Sequence, residues 1–307
     1  MNVAVLFPGQ GAQFVGMGAE LFDRHPDLLG DAADAVLGWS LRDACLAGPE
    51  ERLTSTEVAQ PALYALSLAT WRELEPALGD VVVTAAAGHS LGEYTALAAA
   101  GALDAMDGLA LVAARGRAMA EAAAIEPSGM AALIGADEAS ADAFAEHRRS
   151  LGGRLWVANV NAPGQVVVAG GAEDIDWAVA SGREHGIRRV IPLKVAGAFH
   201  TPFMEPAAAA LTRALTEVAF AEPTFPVYAN LTAEPHGDDL AAALAAQLTG
   251  RVRFADSLTA MGARAFVHVG PGDVTAGMAR RVVPEATVVV VDGPDAVQPA
   301  LEALAAA

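Results

Sequence analysis

Short apolar runs bounded by glycine or proline alternate along the chain with longer segments in which apolar positions recur every three or four residues. The runs Val3–Phe7, Val81–Ala87, Val227–Leu231, Ala265–Val269 and Ala286–Val291 read as strands buried on both faces. Between them, helical spacing predicts helices near 16–24, 58–76, 91–101, 104–121, 203–218 and 274–283. Strands alternating with helices predict a parallel α/β sheet. The middle of the chain departs from this rhythm. It predicts a strand over Met130–Gly135, a helix over 138–150, strands over Leu155–Val160 and Gln165–Ala169, a helix over 172–186 and a strand over Arg189–Leu193. That β-α-β-β-α-β order is the ferredoxin-like arrangement. Ser128-Gly129 and Val195-Ala-Gly197 are suitable points for the chain to leave and rejoin a larger body. The expected organisation is a large α/β body over 1–127 and 196–307, interrupted by a small ferredoxin-like subdomain over 128–195.

Composition narrows the class. With 53% hydrophobic and 18% charged residues over 307 positions, a well-filled core is expected. The alanine-rich stretches are broken by His89, Glu93, Asp104 and Asp107, so no uncharged span of about 18 residues is available to cross a bilayer. The segment Met1–Phe7 lacks a basic leader and reaches Pro8-Gly9 at once, which reads as a strand and not a signal peptide. A net charge of −18 repels nucleic-acid phosphates and anionic lipid. An anionic protein partner therefore needs a local basic patch, for which Arg188-Arg189 with Lys194 and Arg280-Arg281 are the candidates. The single cysteine, Cys45, excludes a disulfide within the chain and a site of several thiolates, and suits a reducing cytoplasm.

The chemistry concentrates at Gly88-His89-Ser90-Leu91-Gly92, which follows the run Val81–Ala87 directly and precedes an alanine-rich helical segment. Strand, G-x-S-x-G and helix in that order is the context of a nucleophile elbow. The turn lifts the serine hydroxyl above the sheet at a helix N-terminus, where backbone N–H groups such as that of Leu91 can hold a developing oxyanion. A serine between two glycines also serves as a plain helix N-cap, and the flanking elements favour the catalytic reading. His89 should point away from the serine and pack structurally. A serine hydroxyl needs a base. Of the histidines at 25, 89, 147, 185, 200, 236 and 268, most sit in polar or helical segments and read as solvated; His200 lies where the chain leaves the inserted subdomain, in a loop that can aim it into a cleft.

Taken together, Phe7-Pro-Gly-Gln-Gly-Ala-Gln13, Gln60-Pro-Ala62, Gly88-His-Ser-Leu-Gly-Glu93, Arg115-Gly-Arg-Ala-Met119, Asn159-Val-Asn-Ala-Pro-Gly-Gln165, Ala198-Phe-His-Thr-Pro-Phe-Met204 and Val269-Gly-Pro-Gly272 resemble the malonyl-CoA:acyl-carrier-protein transacylases and the acyltransferase domains of polyketide synthases, over nearly the whole chain. The resemblance implies a hydrolase-like α/β core with a ferredoxin-like insert. It implies Ser90 as nucleophile, His200 as general base and the backbone carbonyl of Gln247 as the group that orients the histidine. Gln10 with the backbone of Leu91 would line the oxyanion hole. Arg115 would pair with the free carboxylate of a malonyl group, in place of the snorkelling surface role that an arginine beside an apolar helix stripe usually has; Arg117 should face solvent.

The implied reaction is ping-pong transfer of malonyl from coenzyme A to the phosphopantetheine thiol of an acyl carrier protein, in fatty acid or polyketide biosynthesis, with no metal and no tightly bound cofactor. Phe199 matches the malonyl-selective pattern and should crowd an α-methyl group. Gly197 and His268 depart from the pattern and leave room for another acyl group. A serine esterase or an editing acyl hydrolase of the same family is the main rival, and a non-catalytic docking module is a third possibility. Arg115 argues against the hydrolases; the joint presence of Ser90, His200, Gln10 and Arg115 argues against the docking module.

Overall fold

A computed structural model describes residues 1–306. Among these the strands are β1 (Asn2–Phe7), β2 (Val82–Gly88), β3 (Ser128–Ile134), β4 (Leu155–Ala162), β5 (Gln165–Gly171), β6 (Arg189–Pro192), β7 (Val227–Tyr228), β8 (Ala265–Val269) and β9 (Thr287–Val291). They form two sheets in a mixed α/β fold. A parallel sheet has the order β7-β2-β1-β8-β9, and an antiparallel sheet the order β4-β5-β3-β6.

β1 explains why the buried strands read as unbroken apolar runs. Val3, Val5 and Phe7 face one core, which holds the helices Thr56–Leu74 and Ala105–Ala123, while Ala4 and Leu6 face a second core with Phe254, Leu258, Met278 and Ala279 from the helices Phe254–Ala260 and Val274–Val282. With helices on both faces, neither side of the strand has a polar alternation to show. Helix Thr56–Leu74 is itself buried along almost its whole length, and Trp71 meets Phe7 edge-on with ring centroids 6.3 Å apart.

The antiparallel sheet packs the helices Glu138–Ser150 and Ala172–Ser181 on one face, over Leu133, Phe144, Leu155, Val168 and Ile175. Its other face contributes Met130, Ala158, Val167 and Ala169 to the main core. Backbone and charge fasten the sheets together. The Val160 N–H donates to the Val252 carbonyl (2.9 Å) and the Val252 N–H to the Ala158 carbonyl (2.8 Å). Arg251 bridges to Glu138 and Asp142, and Arg281 donates to the Pro163 carbonyl and Gln165 Oε1.

The structure departs from the expected elements in places. The segment 16–24 forms consecutive turns and no helix, because Gly16 and Gly18 take φ of 98° and 69°, which a right-handed helix cannot continue through. The run at 227–231 pairs only over Val227–Tyr228 before turning back to an isolated bridge with Pro235. The helix expected over 172–186 stops at Ser181 and tightens into a 3-10 turn that Gly186 ends at φ 79°. The helices Asp31–Leu37, Leu240–Gln247, Phe254–Ala260 and Val297–Ala305 lie outside the segments for which helical spacing was evident. Among the described residues no helix is long and apolar enough to cross a membrane.

Candidate active site

Adjacent parallel strands β1 and β2 end side by side, and in such sheets ligands gather beyond the C-terminal ends of the strands. β2 runs into a turn so tight that a Cβ on Gly88 would lie 1.8 Å from the Gly92 carbonyl carbon, and one on Gly92 would lie 2.4 Å from the Phe7 carbonyl oxygen. Only hydrogen fits at either position. Between them Ser90 is held at φ 52°, a left-handed conformation that non-glycine residues adopt where surrounding contacts enforce it. Those contacts are visible. The Ser90 N–H donates to Asn230 Oδ1 (2.6 Å), and Asn230 Nδ2 donates to the Gly88 carbonyl (2.6 Å).

His200 arrives from the loop after β6. It too has a positive φ, 61°, and Thr201 secures the corner by donating its hydroxyl to the Ala198 carbonyl and accepting from the Phe203 N–H. His200 Nε2 lies 2.8 Å from Ser90 Oγ, and Nδ1 lies 2.9 Å from the Gln247 backbone oxygen. A carbonyl can only accept, so the proton sits on Nδ1 and leaves the Nε2 lone pair facing the serine hydroxyl. Burial, and after it the Arg115 guanidinium, push the imidazole pKa down to about 3. The ring is therefore neutral at physiological pH and free to accept a proton.

Arg115 is not on the surface: it is 1% exposed, on helix Ala105–Ala123, stacked 5.4 Å from the centre of the Tyr94 ring. Nη1 donates to Gln60 Oε1 (2.7 Å), and Nη2 donates to Gln247 Oε1 (2.8 Å) and to Ser90 Oγ (3.0 Å). Among the described residues its Nε–H has no acceptor. Burial lowers its pKa, but a guanidinium starts so high that it keeps its charge. Ser90 Oγ thus donates toward a neutral imidazole and accepts from a fixed cation. Arg117, two residues on, is exposed.

These groups open on a cavity of about 170 Å³ lined by Met130 and Val167 of the antiparallel sheet, by Gln10 and Leu91 just beyond the ends of β1 and β2, and by Met119 and Phe199. Gln10 donates through Nε2 to Thr56 Oγ1 (3.3 Å). The backbone N–H groups of Gln10 and Leu91 have no acceptor among the described residues, as two donors kept for a ligand oxygen would be. Gly197 and His268 do not reach this space. A Cβ on Gly197 would meet that of Ala123 at 2.6 Å, so a larger side chain has no room there. His268 is fully buried between Thr275 Oγ1 and the Gly270 carbonyl, and burial lowers its pKa. It is not solvated, and neither is His236, whose side chain is 1% exposed beside Glu93. His89 turns away from the serine, as expected: Nε2 lies 2.8 Å from Asn161 Oδ1 on β4, with Phe254 edge-on. Sequence reasoning assigned nothing to Gln60, Glu93, Asn161 or Asn230. The signal available for Gln60 was a lone amide within the apolar stretch from Val58 to Leu66.

Comparison with known proteins places this geometry. The chain matches the model of the acyl transferase domain over residues 5–300. It is 37% identical over 310 residues to the malonyl CoA-acyl carrier protein transacylase of Bacillus subtilis, covering 99% of this chain and 97% of that protein. The crystal structure of the acyl-carrier-protein-S-malonyltransferase from Bartonella henselae superposes with a TM-score of 0.92 at 36% identity, over 99% of this chain and 100% of that one. A type II polyketide malonyl-transacylase solved in complex with its acyl-carrier protein gives a TM-score of 0.92 at 34% identity, over 98% and 99%. The chain belongs to the acyl transferase family.

Proposed function

We propose that this protein transfers a malonyl group from coenzyme A to the phosphopantetheine thiol of an acyl carrier protein, through an acyl-enzyme on Ser90. The observation that carries this is a serine hydroxyl 2.8 Å from a neutral histidine and 3.0 Å from a buried guanidinium. Full-length similarity to named malonyl transacylases supports the substrate.

Ser90 Oγ attacks the thioester carbonyl while His200 Nε2 takes its proton. The N–H groups of Leu91 and Gln10 receive the oxyanion. Collapse breaks the C–S bond, and His200 returns the proton to the coenzyme A thiolate. The carrier's thiol then gives its proton to His200 and attacks the acyl-serine, and Ser90 recovers its hydrogen as the ester bond breaks. The Gln247 carbonyl keeps the imidazole in one tautomer throughout, without a buried carboxylate near an anionic substrate. Arg115 pairs with the malonyl carboxylate, and Phe199 narrows the space beside the α-carbon. The steps need no metal and no tightly bound cofactor. Retention of the acyl group against water distinguishes this reading from an editing hydrolase.

We read the parallel sheet and its helices, 1–127 and 196–307, as a hydrolase-like body, and 128–195 as a ferredoxin-like subdomain closing over the acyl pocket. The order β4-β5-β3-β6 with two helices on one face supports that reading. The carrier docks on the basic edge where Arg188 and Arg281, from different elements, flank the neighbouring turns at Gly135 and Gly164. Cys45, buried with its thiol pushed up to about 12, is inert and suits the cytoplasm.

Intact mass after incubation with malonyl-CoA should show a malonyl adduct on the wild type and none on Ser90→Ala, and added carrier should clear it as malonyl-carrier. Free malonate formed as fast without carrier, with no malonyl-carrier produced, would overturn the transferase reading.

A further inference from the structure

Beside the elbow, outside the lining of the cavity, lies a buried carboxylate that the proposed reaction does not touch. Glu93 begins the helix Gly92–Ala99 and is 1% exposed. Its Oε2 accepts from the Asn230 N–H (2.9 Å) and from Gln247 Nε2 (2.8 Å), and its Oε1 faces His236 Nε2 at 2.8 Å. Both donors to Oε2 lead to the reacting groups. Asn230 is the residue whose side chain clamps the elbow on either side of Ser90. Gln247 is the residue whose backbone oxygen orients His200 and whose side-chain oxygen receives Arg115 Nη2.

The amide of Gln247 has two ends, and something must decide which end faces the arginine. A carboxylate accepts and cannot donate. Glu93 therefore draws the NH2 end, which also donates to the Ser90 carbonyl (2.9 Å), and leaves the oxygen for the guanidinium. Reversed, the amide would set NH2 against an arginine donor and oxygen against a carboxylate, two repulsive contacts in a buried place. The amide dipole thus lies aligned between a buried cation and a buried anion.

We propose that Glu93 is a positioning residue: its charge fixes the orientation of the Gln247 side chain, and through it the placement of Arg115 for a carboxylated acyl group. This rests on the reading of Arg115 as the carboxylate clamp. Glu93→Gln keeps the shape but can donate as well as accept, so the hold on the NH2 end of Gln247 is left to the Ser90 carbonyl alone. Gln247→Ala removes the amide while keeping the backbone oxygen that holds His200.

The test is the rate of Ser90 acylation by malonyl-CoA and by acetyl-CoA, which lacks the carboxylate, followed by intact mass. Wild type should prefer malonyl. Each variant should lose malonyl rate by about 10- to 100-fold, as misplacement of a binding group does. Each should lose much less acetyl rate, so the malonyl-to-acetyl ratio collapses. In the double variant Glu93→Gln/Gln247→Ala the ratio should fall no further than in Gln247→Ala alone. A purely structural role would lower both rates together and leave the ratio intact in the two single variants, and that result overturns the proposal. Should Glu93→Gln fail to fold, an unchanged ratio in Gln247→Ala alone overturns it as well. A wild type with no preference for malonyl would instead remove the clamp reading beneath it, so the two failures are told apart.

Discussion

Replacing Arg115 with alanine tests substrate selection at its strongest point. The guanidinium is 1% exposed, so a carboxylate that meets it does so largely out of water. Hydrogen bonds to a charged partner contribute about 1.5–3 kcal/mol each, and removing one member of a buried charge pair costs about 3–5 kcal/mol. Alanine leaves room for water to enter and solvate the stranded carboxylate, which places the loss toward the lower end, at about 3–4 kcal/mol. At about 1.36 kcal/mol per tenfold, kcat/KM for malonyl-CoA should fall by roughly 150- to 1,000-fold. Acetyl-CoA has no carboxylate to lose, so its slow acylation should stay within about threefold or rise, the difference being the charge-assisted pair itself. The measurement is acyl-Ser90 formation under limiting thioester, with thermal melts to show that the fold survives. A malonyl rate within about threefold of wild type, or an equal fall for both thioesters, would refute the assignment.

Five further outcomes follow from the structure. Because His200 is held at about 3, acylation at limiting thioester should be flat between about pH 5 and 8, and Arg115→Ala should move the acid limb to higher pH by removing a cation beside the ring; a wild-type limb near 6.5 contradicts this. The same depression has a stability consequence. Between a folded value near 3 and the ordinary value near 6.5 the unfolded chain binds the extra proton, so stability should drop on acidification below about pH 6.5, by up to about 1.4 kcal/mol per pH unit from His200, with His89 and His268 adding the same sign; urea midpoints at pH 7.5 and 5.5 read it. Phe199→Ser should raise methylmalonyl-CoA relative to malonyl-CoA by about 10- to 200-fold, the worth of a methyl group in such a pocket; an unchanged ratio removes Phe199 from the selecting wall. Gly88→Ala sets a Cβ 1.8 Å from backbone and should destabilise by about 4 kcal/mol or more, seen as insolubility or a large drop in melting temperature. Finally, Arg188→Glu should raise KM for the carrier and leave acylation by malonyl-CoA alone, whereas Arg281, which also holds Pro163 and Gln165, should affect both.

How far the sequence could be read depended on whether the deciding contact was local. β1 and β8 were legible because burial on both faces removes polar alternation over five residues, and β2 because its apolar run ends in four buried residues directly before the elbow. β7 was overextended because only Val227 and Tyr228 pair, although the apolar run continues. The turns at 16–24 keep helical apolar spacing, with Met17 and Leu21 buried, yet two positive-φ glycines override it. At the site, the elbow announced itself through flanking elements and its two glycines. Glu93 and Asn230 did not: their meaning lies in contacts across more than a hundred residues, and an acid at the start of an alanine-rich helix looks like an ordinary first-turn charge. Arg115 was read on the flank of an apolar stripe, but the helix's buried face is wide enough to take in that flank, with Leu111 and Ala118 beside Arg115, and leaves Arg117 and Glu121 outside.

The cavity's mixed ownership has a practical meaning for redesign. Ser90 and the proposed oxyanion donors follow the ends of β1 and β2, with Asn230 after β7 clamping the elbow, while Met130 and Val167 come from the antiparallel sheet, Met119 from a long helix and Phe199 from the returning loop. Of these walls, only the one from the antiparallel sheet holds none of Ser90, His200 and Arg115, since Phe199 adjoins His200 and Met119 shares a helix with Arg115. That wall can be recut, or replaced as a grafted insert, with the cutting edge left untouched, which makes this scaffold amenable to loading building blocks other than its own.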